Sequence, residues 1–153
     1  MVTDYDEPLF SRRFPPANNK ASAGRMTASS NETGLPENVF RGARTGTAWS
    51  LLGPVGRFAA TWENPPRGRY LIFFSRVGAA GKGGDAWGNA FLSVNEGKPV
   101  PIRGMSGTMV AVVDLGRVVP IQSAVVVMEG GNWNPGLAGI EIHETKLDTR
   151  TGP

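Results

Sequence analysis

Short apolar segments that recur between turn-forming residues constrain the fold of this chain more than any other feature. From Thr47 onward, runs enriched in Val, Ile and Phe are separated by clusters of Gly, Pro, Asn and Asp. Such runs suit a pleated, half-buried surface. We expect strands over residues 57–62, 69–77, 89–95, 99–103, 108–114, 118–128 and 137–143. The sequence has no convincing amphipathic helix, so it predicts an all-β sandwich or barrel.

The alternation within these strands predicts which residues face the core. In "LAGIEIHE", Ala138, Ile140 and Ile142 share one face, while Glu141 and His143 share the other. We therefore expect His143 at the surface. In "NAFLSV", Ala90, Leu92 and Val94 share a face. The runs "YLIFF" and "AVVVM" are apolar on both faces, so their second face needs a cover from the N-terminal residues or from another subunit.

Residues 1–45 differ in character from the rest of the chain. They are rich in Asn, Ser, Ala, Pro and Gly, and no hydrophobic period persists. A disordered tail and an extended arm that becomes ordered on a partner both remain open, and the spaced aromatic residues favour the arm. The residues predicted to bind a partner through this arm are Leu9, Phe10, Phe14, Met26, Leu35 and Phe40. We expect a sandwich over residues 46–146 and a flexible C-terminal tail over residues 147–153.

Composition excludes several classes of function. The 153 residues suggest one domain. The chain has no Cys and one His, so we expect neither a metal site nor a cofactor. Its net charge of +3 is dispersed, which argues against nucleic-acid binding. No apolar run approaches the roughly 20 residues of a membrane span. The N-terminus "MVTDYDEPLF" is not typical of an export signal, so we expect synthesis without export.

The candidate catalytic groups are weak. The loop "RVGAAGKGGDAWG" has Arg76 and Gly83 where a phosphate loop needs Gly and Ser or Thr. His143 would need a nucleophile or an orienting carboxylate. Nothing in the sequence pairs any two of the candidate hydrolase carboxylates, Glu63, Asp85, Glu96, Asp114 and Glu129. We therefore expect no enzyme activity and no catalytic residue.

Two tryptophans lie in Gly- and Asn-rich loops. Trp87 has Asn89 close by, and Trp133 lies between Asn132 and Asn134. Indole rings stack on the apolar faces of sugars, and amides hydrogen-bond to hydroxyl groups, so these residues fit a carbohydrate site. The alternative is that the rings cap the sandwich core or fill an interface.

The order of segments in the second half resembles a known fold. "GRYLIFFSRV", "FLSVNEGKPVPI", "GTMVAVVDLGRVVPIQSAVVVMEGG" and "GLAGIEIHE" look like the galactose-binding-domain-like jelly roll over residues 57–144. The resemblance implies a jelly-roll β-sandwich, a fold used by carbohydrate-binding modules and by accessory proteins of virions. A small sandwich with an extended N-terminal arm is similar in layout to phage capsid decoration (cement) proteins.

The resemblance leads to two functional hypotheses. The first is a non-enzymatic structural protein of a bacteriophage virion. It would be made in the host cytoplasm, would form a homotrimer or homodimer, and would bind capsid subunits at the capsid surface through its arm and its sandwich faces. The alternative is a carbohydrate-binding module or fibre-type receptor-binding domain that uses the loop tryptophans.

Overall fold

The computed structural model describes residues 7–29, 36–42, 44, 49–50, 56–75, 89–102, 110–129 and 136–148. The helical elements are α1 (Glu7–Arg13) and two 3-10 helices, Pro16–Asn18 and Pro36–Phe40. The strands are β1 (Arg25–Ala28), β2 (Trp49–Ser50), β3 (Gly56–Thr61), β4 (Arg67–Ser75), β5 (Asn89–Val94), β6 (Val100–Ile102), β7 (Val110–Pro120), β8 (Ser123–Glu129) and β9 (Gly136–His143).

The strands form two antiparallel sheets. One has five strands in the order β1-β3-β8-β5-β6, and the other has four in the order β2-β9-β4-β7. The chain passes repeatedly from one sheet to the other, which gives the jelly-roll β-sandwich that the sequence predicts. Each of the seven predicted ranges overlaps an observed strand, whereas β1 and β2 were not predicted.

Residues 115–117, which separate the predicted strands 108–114 and 118–128, lie inside β7. Gly68 is opposite Val119 and Tyr70 is opposite Asp114, so a single residue of β4 faces four residues of β7. Gly116 has a φ of 85°, and its N–H donates to Asp114 Oδ1 at 2.8 Å. The segment therefore forms a bulge that bends the strand without ending it.

The main core lies between the two sheets and follows the alternation of the strands. In β5, Ala90 and Leu92 are buried and Val94 packs against the core, as predicted. The other strand residues buried in this core are Met26, Phe58, Ala60, Leu71, Phe73, Ile102, Ala111, Ala124, Val126, Met128, Leu137, Ile140 and Ile142. Burial of each large side chain contributes about 1.5–3 kcal/mol.

Ala138 does not share a face with Ile140 and Ile142, contrary to the prediction. The register of β4 with β9 shifts between Phe74 and Ser75, and this irregularity turns Ala138 to the opposite side of its sheet. A simple period of two fails wherever such a shift occurs.

A second apolar cluster covers the outer face of the four-stranded sheet. Ile72 and Phe74 of β4 pack there against Phe10 and Phe14 from the N-terminal segment. The Phe10 and Phe74 rings meet edge to face, with centroids 5.5 Å apart. Of the two covers that the sequence left open for the second face of "YLIFF", the N-terminal residues therefore supply it. On the outer face of β8, Val127 is 45% exposed.

The described part of residues 1–45 folds onto the chain's own sandwich. Phe10 and Phe14 lie in the outer cluster, and Met26 and Phe40 lie in the main core. Their burial in the same chain does not agree with the predicted role as anchors on a partner. Phe10 and Phe14 are four residues apart and share one side of a helical turn, a spacing too brief to produce a periodic pattern. Leu9 is half-buried, and Leu35 lies outside the described residues.

The start of the predicted C-terminal tail contacts the N-terminal segment. The N–H of Leu147 donates to the carbonyl of Arg13 at 2.9 Å. Nearby, Lys20 and Glu144 form an exposed ion pair at 2.7 Å. Residues 149–153 of the predicted tail lie outside the described residues.

Candidate functional site

His143 is fully buried, although the alternation of β9 predicted it at the surface. Its side chain is 0% exposed, that of Glu141 is 1% exposed, and His143 Nε2 lies 2.7 Å from Glu141 Oε1. An ionised carboxylate only accepts hydrogen bonds, so this contact places a ring proton on Nε2. His143 Nδ1 has no hydrogen-bond partner in the described part of the chain. The prediction failed because the N-terminal residues cover this face of β9.

Arg44 completes the buried polar cluster with two hydrogen bonds to the same carboxylate. Nε donates to Glu141 Oε2 at 2.9 Å and Nη2 donates to Oε1 at 2.8 Å. Burial alone would raise the pKa of Glu141, but hydrogen bonds from His143 and Arg44, together with the Arg44 charge, hold this pKa below its ordinary value. We call these three residues the Arg44 cluster.

The Arg44 cluster also fastens the N-terminal segment. Arg44 Nη1 donates to Ser11 Oγ at 3.1 Å, and Nη2 donates to the carbonyl of Phe14 at 2.6 Å. The guanidinium carbon lies 5.2 Å from the ring centroids of both Phe10 and Phe74. Because these side chains are closed off from solvent, the arrangement stabilises the fold and offers no surface to a substrate. Its one local signal in the sequence is the spacing of Glu141 and His143, which share a face.

Two of the candidate carboxylates for hydrolysis, Glu63 and Glu129, are not brought together. Asp114 forms an exposed ion pair with Arg69 through bonds of 2.7 and 3.0 Å, and these bonds lower the pKa of Asp114. Glu63 follows β3 and Glu129 ends β8; these strands pair antiparallel, with Gly56 opposite Met128, so the two carboxylates lie at opposite ends of the sandwich. Asp85 lies outside the described residues.

Two further limits apply to the described part of the chain. It contains no group of three or more acidic or His side chains that could hold a metal ion. None of its helices is long and apolar enough to cross a membrane.

The strand termini that flank the longer undescribed segments all lie at one end of the sandwich. We call it the loop end. The strand ends on both sides of the gaps at 51–55, 76–88, 103–109 and 130–135 lie there, given the antiparallel order of the strands. We call the opposite end the turn end; short connections join the strands there, over residues 62–66, 95–99 and 121–122.

Among the predicted carbohydrate residues, Asn89 is the one that the structure describes, and it lies at the loop end. Asn89 is exposed at the start of β5 and lies opposite Glu129, the last residue of β8. Ser75, the last residue of β4, lies opposite Leu137 at the start of β9. The flanks of segments 76–88 and 130–135 are therefore neighbours in both sheets. Trp87, Asn132, Trp133 and Asn134 lie in these segments, outside the described residues.

Comparison with known proteins gives matches in structure. No protein-family model and no curated protein sequence matches this chain. A family 32 carbohydrate-binding module from NanJ of Clostridium perfringens, solved in complex with galactose, has a TM-score of 0.60 at 11% identity. The match covers 87% of this chain and 98% of that chain.

Two further binding modules are similar. A fucose-binding module from Streptococcus pneumoniae has a TM-score of 0.62 at 17% identity, with 82% of this chain and 94% of that chain covered. Chitosan-binding module 1 from a chitosanase/glucanase of Paenibacillus sp. IK-5 has a TM-score of 0.61 at 12% identity, with 82% and 98% covered. At such identities the likeness shows the fold. The chain therefore has the galactose-binding-domain-like jelly-roll fold that its segment order resembles.

Proposed function

We propose that this chain is a non-catalytic carbohydrate-binding module whose site is the loop end of the sandwich. The observation that carries the proposal is the strand register, in which Asn89 lies opposite Glu129 and Ser75 lies opposite Leu137. This register makes neighbours of the flanks of the two segments that contain Trp87 and Trp133. Support in kind comes from the similar structures, which are a module in complex with galactose, a fucose-binding module and a chitosan-binding module.

The chemistry of the proposed site follows from its residue types. An indole ring buries the apolar face of a pyranose, and the hydrophobic contact stabilises the complex. The amides of Asn89, Asn132 and Asn134 both donate to and accept from sugar hydroxyl groups. Neutral polar groups around two aromatic rings suit a neutral glycan.

The test is a glycan array followed by binding titrations with the glycans that score. We expect Trp87→Ala and Trp133→Ala each to weaken binding about fivefold to tenfold, since loss of a stacked ring costs about 1–1.4 kcal/mol. The matched control is Phe91→Ala, which removes an aromatic ring that is 40% exposed on a sheet face. It should leave affinity unchanged. An array without a hit, or tryptophan variants with full affinity, would contradict the proposal.

The capsid decoration hypothesis predicted attachment through aromatic anchors in an N-terminal arm and through the sandwich faces. The first of these is not supported, because Phe10, Phe14 and Phe40 are at most 6% exposed within the chain itself. The virion location and the homotrimer or homodimer stay predictions.

A further inference from the structure

A concave site lies at the turn end of the sandwich, opposite the loop end. The cavity has a volume of about 360 Å³ and is lined by Ala23, Arg25, Thr61, Trp62, Glu63 and Asn64. Arg25 and Thr61 are paired across β1 and β3, and the other lining residues come from the chain just outside these strand ends. The volume falls within the range of small-molecule sites, about 300–1,000 Å³.

The floor of this cavity is rigid. The indole of Trp62 is only 5% exposed, and its Nε1–H donates to the carbonyl of Ala21 at 3.0 Å. The ring also meets Phe40 edge to face at 5.5 Å. A Cβ placed on Gly24 would lie 2.8 Å from the indole nitrogen, so the backbone of this turn packs directly against the ring. A preformed wall lowers the entropic cost of binding a ligand.

The rim of the cavity holds a strained residue. Ala23 has a φ of 69°, in the left-handed region that L-residues other than Gly, Asn and Asp rarely adopt. This conformation costs about 1–2 kcal/mol for a residue with a Cβ. Such strain persists where the surroundings enforce it, and it is concentrated at functional sites.

The polar side chains that line the cavity are free to bind. Arg25, Glu63 and Asn64 are exposed, and their side chains make no hydrogen bond with other described residues. The guanidinium donates, the carboxylate accepts and the amide does both, which matches the mixed donors and acceptors of a polyol. The charges of Arg25 and Glu63 cancel, so the site favours a ligand without net charge.

We propose that this cavity is a second saccharide-binding site, which takes one neutral sugar unit at the turn end. Its ligand class rests on the proposed function, but its residues are separate from those of the loop end. A module with sites at both ends can hold two glycan chains at once, and the linkage raises the overall strength of attachment.

The test is a titration of ¹⁵N-labelled protein, followed by NMR, with galactose, fucose and N-acetylglucosamine as separate probes. We expect at least one probe to produce saturable shifts at the Trp62 indole N–H and at the amides of Ala23, Gly24 and Asn64. Glu63→Ala should weaken this binding about tenfold, because it removes a charge-assisted hydrogen bond. Arg25→Ala should have a similar effect.

The matched control is Glu96→Ala, an exposed carboxylate in another connection at the turn end. It should leave the affinity unchanged, and the thermal unfolding of all three variants should match that of the unaltered chain. The proposal is overturned if no probe shifts these signals, or if the shifts survive unchanged in both cavity variants. If Trp133→Ala abolishes glycan binding and the glycan never shifts the Trp62 signal, the second site is refuted and the proposed function stands. If a sugar shifts the Trp62 signal but nothing binds at the loop end, the cavity site stands and the proposed function at the loop end is refuted.

Discussion

Removal of Arg44 is the perturbation that tests most sharply how the N-terminal segment is held. Arg44→Met keeps the length of the side chain but removes the charge and the hydrogen bonds to Glu141, Ser11 and Phe14. Glu141 would then be a buried carboxylate with His143 as its remaining partner. Breaking a buried ion pair by deleting one member costs about 3–5 kcal/mol. The side chain of Arg44 is 7% exposed, so solvent screening reduces this effect little.

Urea unfolding supplies the assay, with the free energy of unfolding extrapolated to water. The matched control is Arg69→Ala, because Arg69 makes the same bidentate contact with Asp114 in an exposed setting. Water screens that pair, so the control should change the free energy of unfolding little. Hydrogen exchange should also show faster opening of α1 in Arg44→Met alone. Equal stability losses in Arg44→Met and Arg69→Ala would refute the argument that burial gives this contact its strength.

Two further predictions concern the same region. Because the pKa of Glu141 is lowered on folding, its contribution to stability is complete above the ordinary value of about 4.5 and is lost as the pH falls through the folded-state value. Glu141→Gln should flatten the acid limb of a plot of unfolding free energy against pH, whereas Asp114→Asn, at an exposed pair, should not; equal slopes in both variants would contradict this assignment. Phe14→Ala should cost about 3–5 kcal/mol in urea unfolding, because a ring that is 1% exposed leaves a cavity. Phe91→Ala, at an exposed ring, should cost far less, and an equal loss would mean that the outer cluster is not a true core.

The fold was accessible from the sequence where local patterns determine it. The alternation of Ala90 and Leu92 in β5 and the two apolar faces of β4 each depend on a period of two, which a strand imposes on its own side chains. The same rule failed at Ala138, because a bulge changes which side a residue faces. The break expected between residues 114 and 118 failed because the turn-forming residues there build a bulge inside β7. Bulges depend on the partner strand, which a local pattern does not contain.

The polar cluster was inaccessible for a different reason. Arg44 and Glu141 are 97 positions apart in the chain, and only the folded N-terminal segment brings them together. The alternation of β9 correctly placed Glu141 and His143 on the face opposite Ile140 and Ile142. It could not show that α1 and Arg44 cover that face, so His143 was expected in solvent. The cavity at the turn end was missed for the same reason, because it joins Arg25 to residues of the turn after β3, which are distant in the sequence.

Glycan binding at the loop end is tested most directly by chemical-shift mapping of the intact chain with a glycan that scores on the array. We expect the tightest binding step to move the backbone amides of Ser75, Asn89, Glu129 and Leu137, which flank the two tryptophan segments. Signals at the centre of the sheets, such as that of Leu92, should stay in place. Saturable glycan binding that leaves all four flanking amides unmoved would contradict binding at the loop end.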